Sequence, residues 1–92
     1  MCAQERRLVH FSGQVQGVGF RYTARQLARG YDVTGYVRNM PDGRVEIVVE
    51  GPGDQIDELI DTLRRRMSPY VKDVTQTRQP PTGEFTTFDV VF

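Results

Sequence analysis

The chain is poor in the groups that most metal and nucleophile chemistries need. Its 92 residues hold one cysteine, Cys2, and one histidine, His10, which excludes zinc sites of the His-Glu-x-x-His or paired Cys-x-x-Cys type. A lone cysteine makes no internal disulfide, and a reducing, cytoplasmic setting fits it best. The sole lysine, Lys72, follows Val71, so there is no Gly-Lys pair for a Walker loop. Serine occurs only at Ser12 and Ser68, neither within Gly-x-Ser-x-Gly, so a serine-hydrolase elbow is missing. No apolar run approaches a membrane span, and the opening MCAQERR lacks the apolar stretch of a signal peptide. Excess charge is lacking too. Twelve basic residues balance twelve acidic ones, which removes the broad positive field of nucleic-acid binders and leaves room only for a local basic site.

What is present suffices for one packed domain. With 38% hydrophobic and 10% aromatic residues, a chain of this length can bury roughly 60–70% of its unfolded surface without disulfide or metal staples. A single domain over residues 1–92 is expected, with about 1–6 as a flexible N-terminus, and no exposed apolar stripe calls for a second copy, so a monomer is expected.

Alternation of Val9 and Phe11 with polar neighbours predicts a strand over Arg7 to Ser12, ended by Gly13. Phe20, Ala24, Leu27 and Ala28 fall at helical spacing, with Gly30 as the stop. Val33 to Arg38 and Val45 to Glu50 alternate on either side of Asn39-Met40-Pro41-Asp42-Gly43, which predicts a hairpin. After Gly51-Pro52-Gly53, the stripe Ile56, Leu59, Ile60, Leu63 and Met67 marks a second helix; its Arg64-Arg65-Arg66 end suits the helix macrodipole and reads as a solvated terminus. Val71 to Gln79 predicts a fourth strand, Pro80-Pro81-Thr82-Gly83 breaks it, and Phe85, Phe88, Val90 and Phe92 form a short terminal strand. This order predicts an α+β sandwich: a ferredoxin-like split β-α-β unit, with two helices on one face of an antiparallel sheet. That architecture hosts many functions, so the site must decide.

Gly13-Gln14-Val15-Gln16-Gly17-Val18-Gly19-Phe20-Arg21 joins the first strand to the first helix. Gly17 and Gly19 permit a backbone that turns successive amides inward, and a helix start adds unpaired N–H groups, so the loop can cradle an anion. Arg21 stands where the macrodipole disfavours a cation, a conflict that a bound phosphate or carboxylate would relieve. A tight turn with a solvated arginine is the plainer account. A dinucleotide fingerprint fails at Tyr22, where its third glycine belongs. An RNA-recognition segment fails because Val18 replaces the aromatic between the glycines and a helix follows. In the hairpin Gly35-Tyr36-Val37-Arg38-Asn39-Met40-Pro41-Asp42-Gly43-Arg44-Val45-Glu46, the plain account makes Asn39 and Asp42 turn residues that hydrogen-bond the bend.

Taken together, Gly13 to Arg21 and Gly35 to Glu46 closely resemble the acylphosphatase family, with its G-x-V-Q-G-V-G-F-R loop and G-x-V-R-N-x-x-D-G-x-V-E hairpin. The resemblance runs from about Leu8 to Phe92. It implies hydrolysis of the carboxyl-phosphate bond of acyl phosphates to a carboxylate and inorganic phosphate, with no metal or other cofactor. By the match, backbone amides of Gln16, Gly17, Val18, Gly19, Phe20 and Arg21 hold the phosphoryl oxygens, Arg21 binds the phosphate, and Asn39 positions the attacking water, whose proton can pass to the phosphate itself. The implied partner is a small acyl phosphate, with neither nucleic acid nor membrane. A phosphate- or nucleic-acid-binding module on the same fold is the alternative, and it has no use for a water-positioning amide. The chain departs from the family pattern at Met67 to Val74, which leaves the local packing there and the acyl-side preference open.

Overall fold

The protein is described by a computed structural model over residues 3–92, so the N-terminal Cys2 lies outside the described residues. Strand β1 spans Gln4–Gly13, helix α1 Phe20–Ala28, β2 Thr34–Asn39, β3 Val45–Pro52, α2 Gly53–Arg66, β4 Val71–Gln79 and β5 Phe88–Val91. The strands form one sheet in the order β4-β1-β3-β2-β5, and the helices pack on one face, giving the expected ferredoxin-like α+β architecture. Phe20, Ala24 and Ala28 of α1 and Ile56, Leu59, Ile60 and Leu63 of α2 are buried, as their spacing requires. They close on Val9, Phe11, Val37, Val45, Ile47 and Val49 of the sheet, with the Phe11 and Phe20 rings 4.8 Å apart. Each buried Val, Leu, Ile or Phe side chain among them contributes about 1.5–3 kcal/mol by leaving water.

Besides confining the terminal strand expected through Phe85 and Phe92 to Phe88–Val91, the structure differs from the sequence reading in three places. β1 begins at Gln4 rather than Arg7. Residues 4–6, expected to hang free, have strand partners instead: Gln4 opposes Pro52, and Arg6 opposes Glu50 on one side and Gln79 on the other. Backbone pairing with β3, joined by β4 at Arg6, holds a polar segment that apolar alternation cannot detect. Secondly, β5 runs parallel to β2, so the sheet is mixed rather than wholly antiparallel. Thirdly, β3 is buried along its full length, although Glu46 and Glu50 alternate there with valine and isoleucine.

The parallel β5 explains the buried Glu50. β4 and β5 are the two edges of the sheet, so the connection between them, residues 80–87, must cross the face that carries no helix. Glu50 anchors this strap, accepting from the Thr82 and Gly83 backbone N–H groups (3.0 and 2.9 Å), the Thr82 hydroxyl (2.9 Å) and the Arg6 guanidinium (2.8 Å). Phe85 lies over the sheet, its ring 6.0 Å from that of Tyr36 and 5.4 Å from the Arg6 guanidinium carbon. Burial alone would raise the Glu50 pKa. The Gly83 amide, Arg6 and Thr82 overcome it and hold the carboxyl at about 2, against an ordinary 4.5.

Because the folded-state value lies below the unfolded one, Glu50 contributes stability above pH 4.5 and loses it as the pH falls toward 2. Denaturant midpoints should therefore drop across that window in the native protein. In Glu50→Gln, which cannot ionise, the drop should be smaller and the midpoint at neutral pH lower; equal acid sensitivity in the two proteins would show that the strap is not anchored by this charge.

Candidate active site

Gly17 and Gly19 adopt φ of 78° and 79°, left-handed values that other residues enter at a cost of about 1–2 kcal/mol. A Cβ at either position would meet nothing within 4 Å, so conformation rather than crowding calls for glycine, and the backbone here stays uncovered. Gly19 is the N-cap of α1 and supplies no side-chain cap, and the first turn holds no acidic residue. The first bond of the helix runs from the Thr23 N–H to the Gly19 carbonyl at 3.0 Å. The amides ahead of it, at Phe20, Arg21 and Tyr22, are thus left without helical acceptors, which makes this end of α1 receptive to an anion.

Around this loop lies a cavity of about 220 Å³, lined by Val15, Gly17, Gly19, Phe20, Arg21, Tyr22 and Asn39. The structure thus brings Arg21 and Asn39, from two separate sequence segments, to one space. A larger cleft of about 320 Å³ lies along α1 and is lined by Arg25, Ala28, Arg29, Tyr31, Val33, Thr87, Phe88 and Asp89. It has neither glycine loop nor helix start, so the smaller cavity is the better anion site.

Arg21 stacks its guanidinium carbon 4.8 Å from the centre of the Phe92 ring. The ion pairs among the described residues engage other arginines, namely Arg6, Arg7, Arg38, Arg44, Arg65 and Arg78. A planar cation with one face on an aromatic ring keeps its N–H edges free for a bidentate anion.

Asn39 ends β2 opposite Val45, two residues beyond the buried Val37, so strand alternation turns it to the helix-covered face where α1 begins. The turn that follows is tied without it. Asp42 accepts from the Arg44 backbone N–H at 3.0 Å, the Met40 N–H donates to the Arg44 carbonyl at 2.8 Å, and the Gly43 N–H donates to the Met40 carbonyl at 3.1 Å. Of the two residues that the plain account assigned to the bend, Asp42 does that work, and the Asn39 carboxamide faces the cavity.

The remaining predicted residues take other positions. The Gln16 side chain turns from the cavity and donates to the carbonyls of Met40 (2.7 Å) and Arg44 (3.0 Å), latching the glycine loop to the hairpin that carries Asn39. Val18 packs against the core. On the opposite face of the hairpin, Glu46 receives Arg38 Nε at 2.7 Å and the Tyr36 hydroxyl at 2.9 Å, and His10 Nε2 lies at 3.0 Å. Burial pushes the Glu46 pKa up, but Arg38, His10 and Tyr36 more than offset this and hold it below the usual range. Val15 and Tyr22 line the cavity without having been expected there; their adjacency to Gln16 and Arg21 was the only signal. The divergent segment touches the loop's entry, where the Gln14 N–H donates to the Tyr70 carbonyl at 2.9 Å.

Comparison with known proteins settles the lineage. The sequence pattern described as Acylphosphatase matches residues 8–90, nearly the whole chain. The chain belongs to the acylphosphatase family. It is 42% identical over 78 residues to an acylphosphatase of Nocardia farcinica, covering 84% of this chain and 78% of that one. An acylphosphatase of Listeria monocytogenes is 36% identical over 92 residues, covering 98% and 99% of the two chains. The crystal structure of acylphosphatase from Bacillus subtilis superposes with a TM-score of 0.84 at 29% identity, covering 98% of this chain and all of that one.

The Gln16 latch makes a prediction about geometry. Gln16→Ala should leave the fold intact but release the loop from the hairpin, lowering turnover by about ten- to a hundredfold, the scale of a misplacement near 1 Å. Steady-state kinetics on the folded variant test this, and unchanged turnover would mean that the two segments hold their spacing without the latch.

Proposed function

We propose that this member of the acylphosphatase family hydrolyses acyl phosphates in the cavity shared by the glycine loop, Arg21 and Asn39. The observation that carries the reading is the meeting of an uncovered left-handed loop at a helix start with an arginine outside the ion pairs and a carboxamide turned from its own bend. Amides from Gln16 to Arg21 receive the phosphoryl oxygens, and the Arg21 fork binds two of them. Asn39 orients a water toward phosphorus. As the new P–O bond forms, the bond from phosphorus to the acyl oxygen breaks and a carboxylate leaves. The transition state is loose, so positioning and charge stabilisation supply most of the acceleration. Asn39 is no base at neutral pH. The water's proton passes to a phosphoryl oxygen, and the product is inorganic phosphate.

The reaction proceeds in this reading without a metal, a view supported by a ligand inventory of one histidine and one cysteine. Balanced charge supports a small-molecule partner rather than nucleic acid, and the single cysteine supports a cytoplasmic setting. No helix of the described residues is long and apolar enough to cross a membrane. The large exposed hydrophobics among them are few, Tyr22, Tyr70, Val91 and Phe92, which supports action as a monomer. Purified protein should hydrolyse benzoyl phosphate at an undiminished rate in EDTA. Activity that disappears in EDTA and returns with magnesium would overturn the metal-free reading.

A further inference from the structure

Two of the four large apolar side chains left exposed among the described residues, Tyr22 and Phe92, stand at Arg21 and the cavity it lines. Tyr22 is 58% exposed and Phe92 86% exposed. Tyr22 lines the cavity itself, and the Phe92 ring stacks on the Arg21 guanidinium. Neither residue is needed for the core: the buried positions of α1 are Phe20, Ala24 and Ala28, and Tyr22 points away from them. If the loop amides and the Arg21 edges take the phosphoryl group, the acyl group attached to it must extend toward the open side. Beside Arg21, two exposed side chains are aromatic, those of Tyr22 and Phe92. Such rings offer broad, stiff contact surface at low entropic cost, with a preference for flat or extended apolar groups.

We infer that Tyr22 and Phe92 form an acyl-side subsite that selects acyl phosphates with aromatic or extended apolar acyl groups over short aliphatic ones. The inference rests on the phosphoryl reading of the glycine loop. It also gives the arginine stack a second use, since the ring that holds the guanidinium face borders the path of the acyl group.

The test is the ratio of kcat/KM for benzoyl phosphate to that for acetyl phosphate, measured on one preparation so that the folded fraction cancels. Tyr22→Ala and Phe92→Ala should each lower this ratio about tenfold, near the lower end of the discrimination given by one apolar contact. Tyr22→Phe, which keeps the ring, should preserve the ratio. A ratio unchanged in either alanine variant, with native protein active on both substrates, overturns the paired subsite and leaves the phosphoryl site standing. Native protein inert toward both substrates overturns the reading of the glycine loop, and the subsite falls with it.

Discussion

Asn39→Ala should lower turnover about a hundredfold or more while leaving inhibition by inorganic phosphate close to that of the native protein. The expected loss corresponds to roughly 2.7–4 kcal/mol of barrier, the scale seen when one preorganised donor is removed from a transition-state site. A residue serving only its turn would behave otherwise, changing stability by about 1 kcal/mol or less with turnover of the folded fraction intact. The geometry separates the two cases, since the bend is tied by Asp42 and backbone bonds. Turnover and phosphate inhibition measured on the same folded variant decide between them. Normal turnover would return Asn39 to the turn, and joint loss of turnover and phosphate affinity would make it a part of the anion cradle.

Arg21→Ala should weaken phosphate binding and turnover together, because in the proposed role the fork contacts oxygens that carry charge in both the ground and transition states. A loss of about a hundredfold or more in kcat/KM is expected, the scale of removing a preorganised electrostatic donor. Arg21→Lys should fail to restore it. An ammonium supplies the charge but neither the planar pair of donors nor a flat face for the Phe92 ring. Near-normal kinetics in the lysine variant would reduce the role of Arg21 to a point charge.

Much of the candidate site was legible in one dimension, because it is built from local features. Gly17 and Gly19 announce left-handed backbone, Gly19-Phe20 marks the helix start, and the unfavourable position of Arg21 points to an anion. Asn39 was ambiguous from its neighbours alone. Strand parity turns it to the face of α1, and the bond that the Arg44 N–H donates to Asp42 shows that the bend is tied without it. Gln16 was assigned through its backbone, whereas its side chain makes a latch to Met40 and Arg44, residues that only the fold brings near. The strap was hidden for a similar reason. Pro80-Pro81-Thr82-Gly83 reads as a break, and Glu50 as an outward-facing strand residue, until the path from one sheet edge to the other joins them.

The order of the strands also bears on how the molecule avoids other molecules of its kind. β1, with Val9 and Phe11, and β3 lie inside the sheet, so their backbone groups are paired on both sides. The open hydrogen-bonding edges belong to β4 and β5. β4 is largely exposed and polar, with Lys72, Asp73 and Arg78 along it, and β5 extends only over Phe88–Val91. A charged edge and a short edge are poor templates for an incoming strand. The arrangement therefore places the most β-prone, aggregation-competent segments where a second chain cannot reach them unless the sheet first opens.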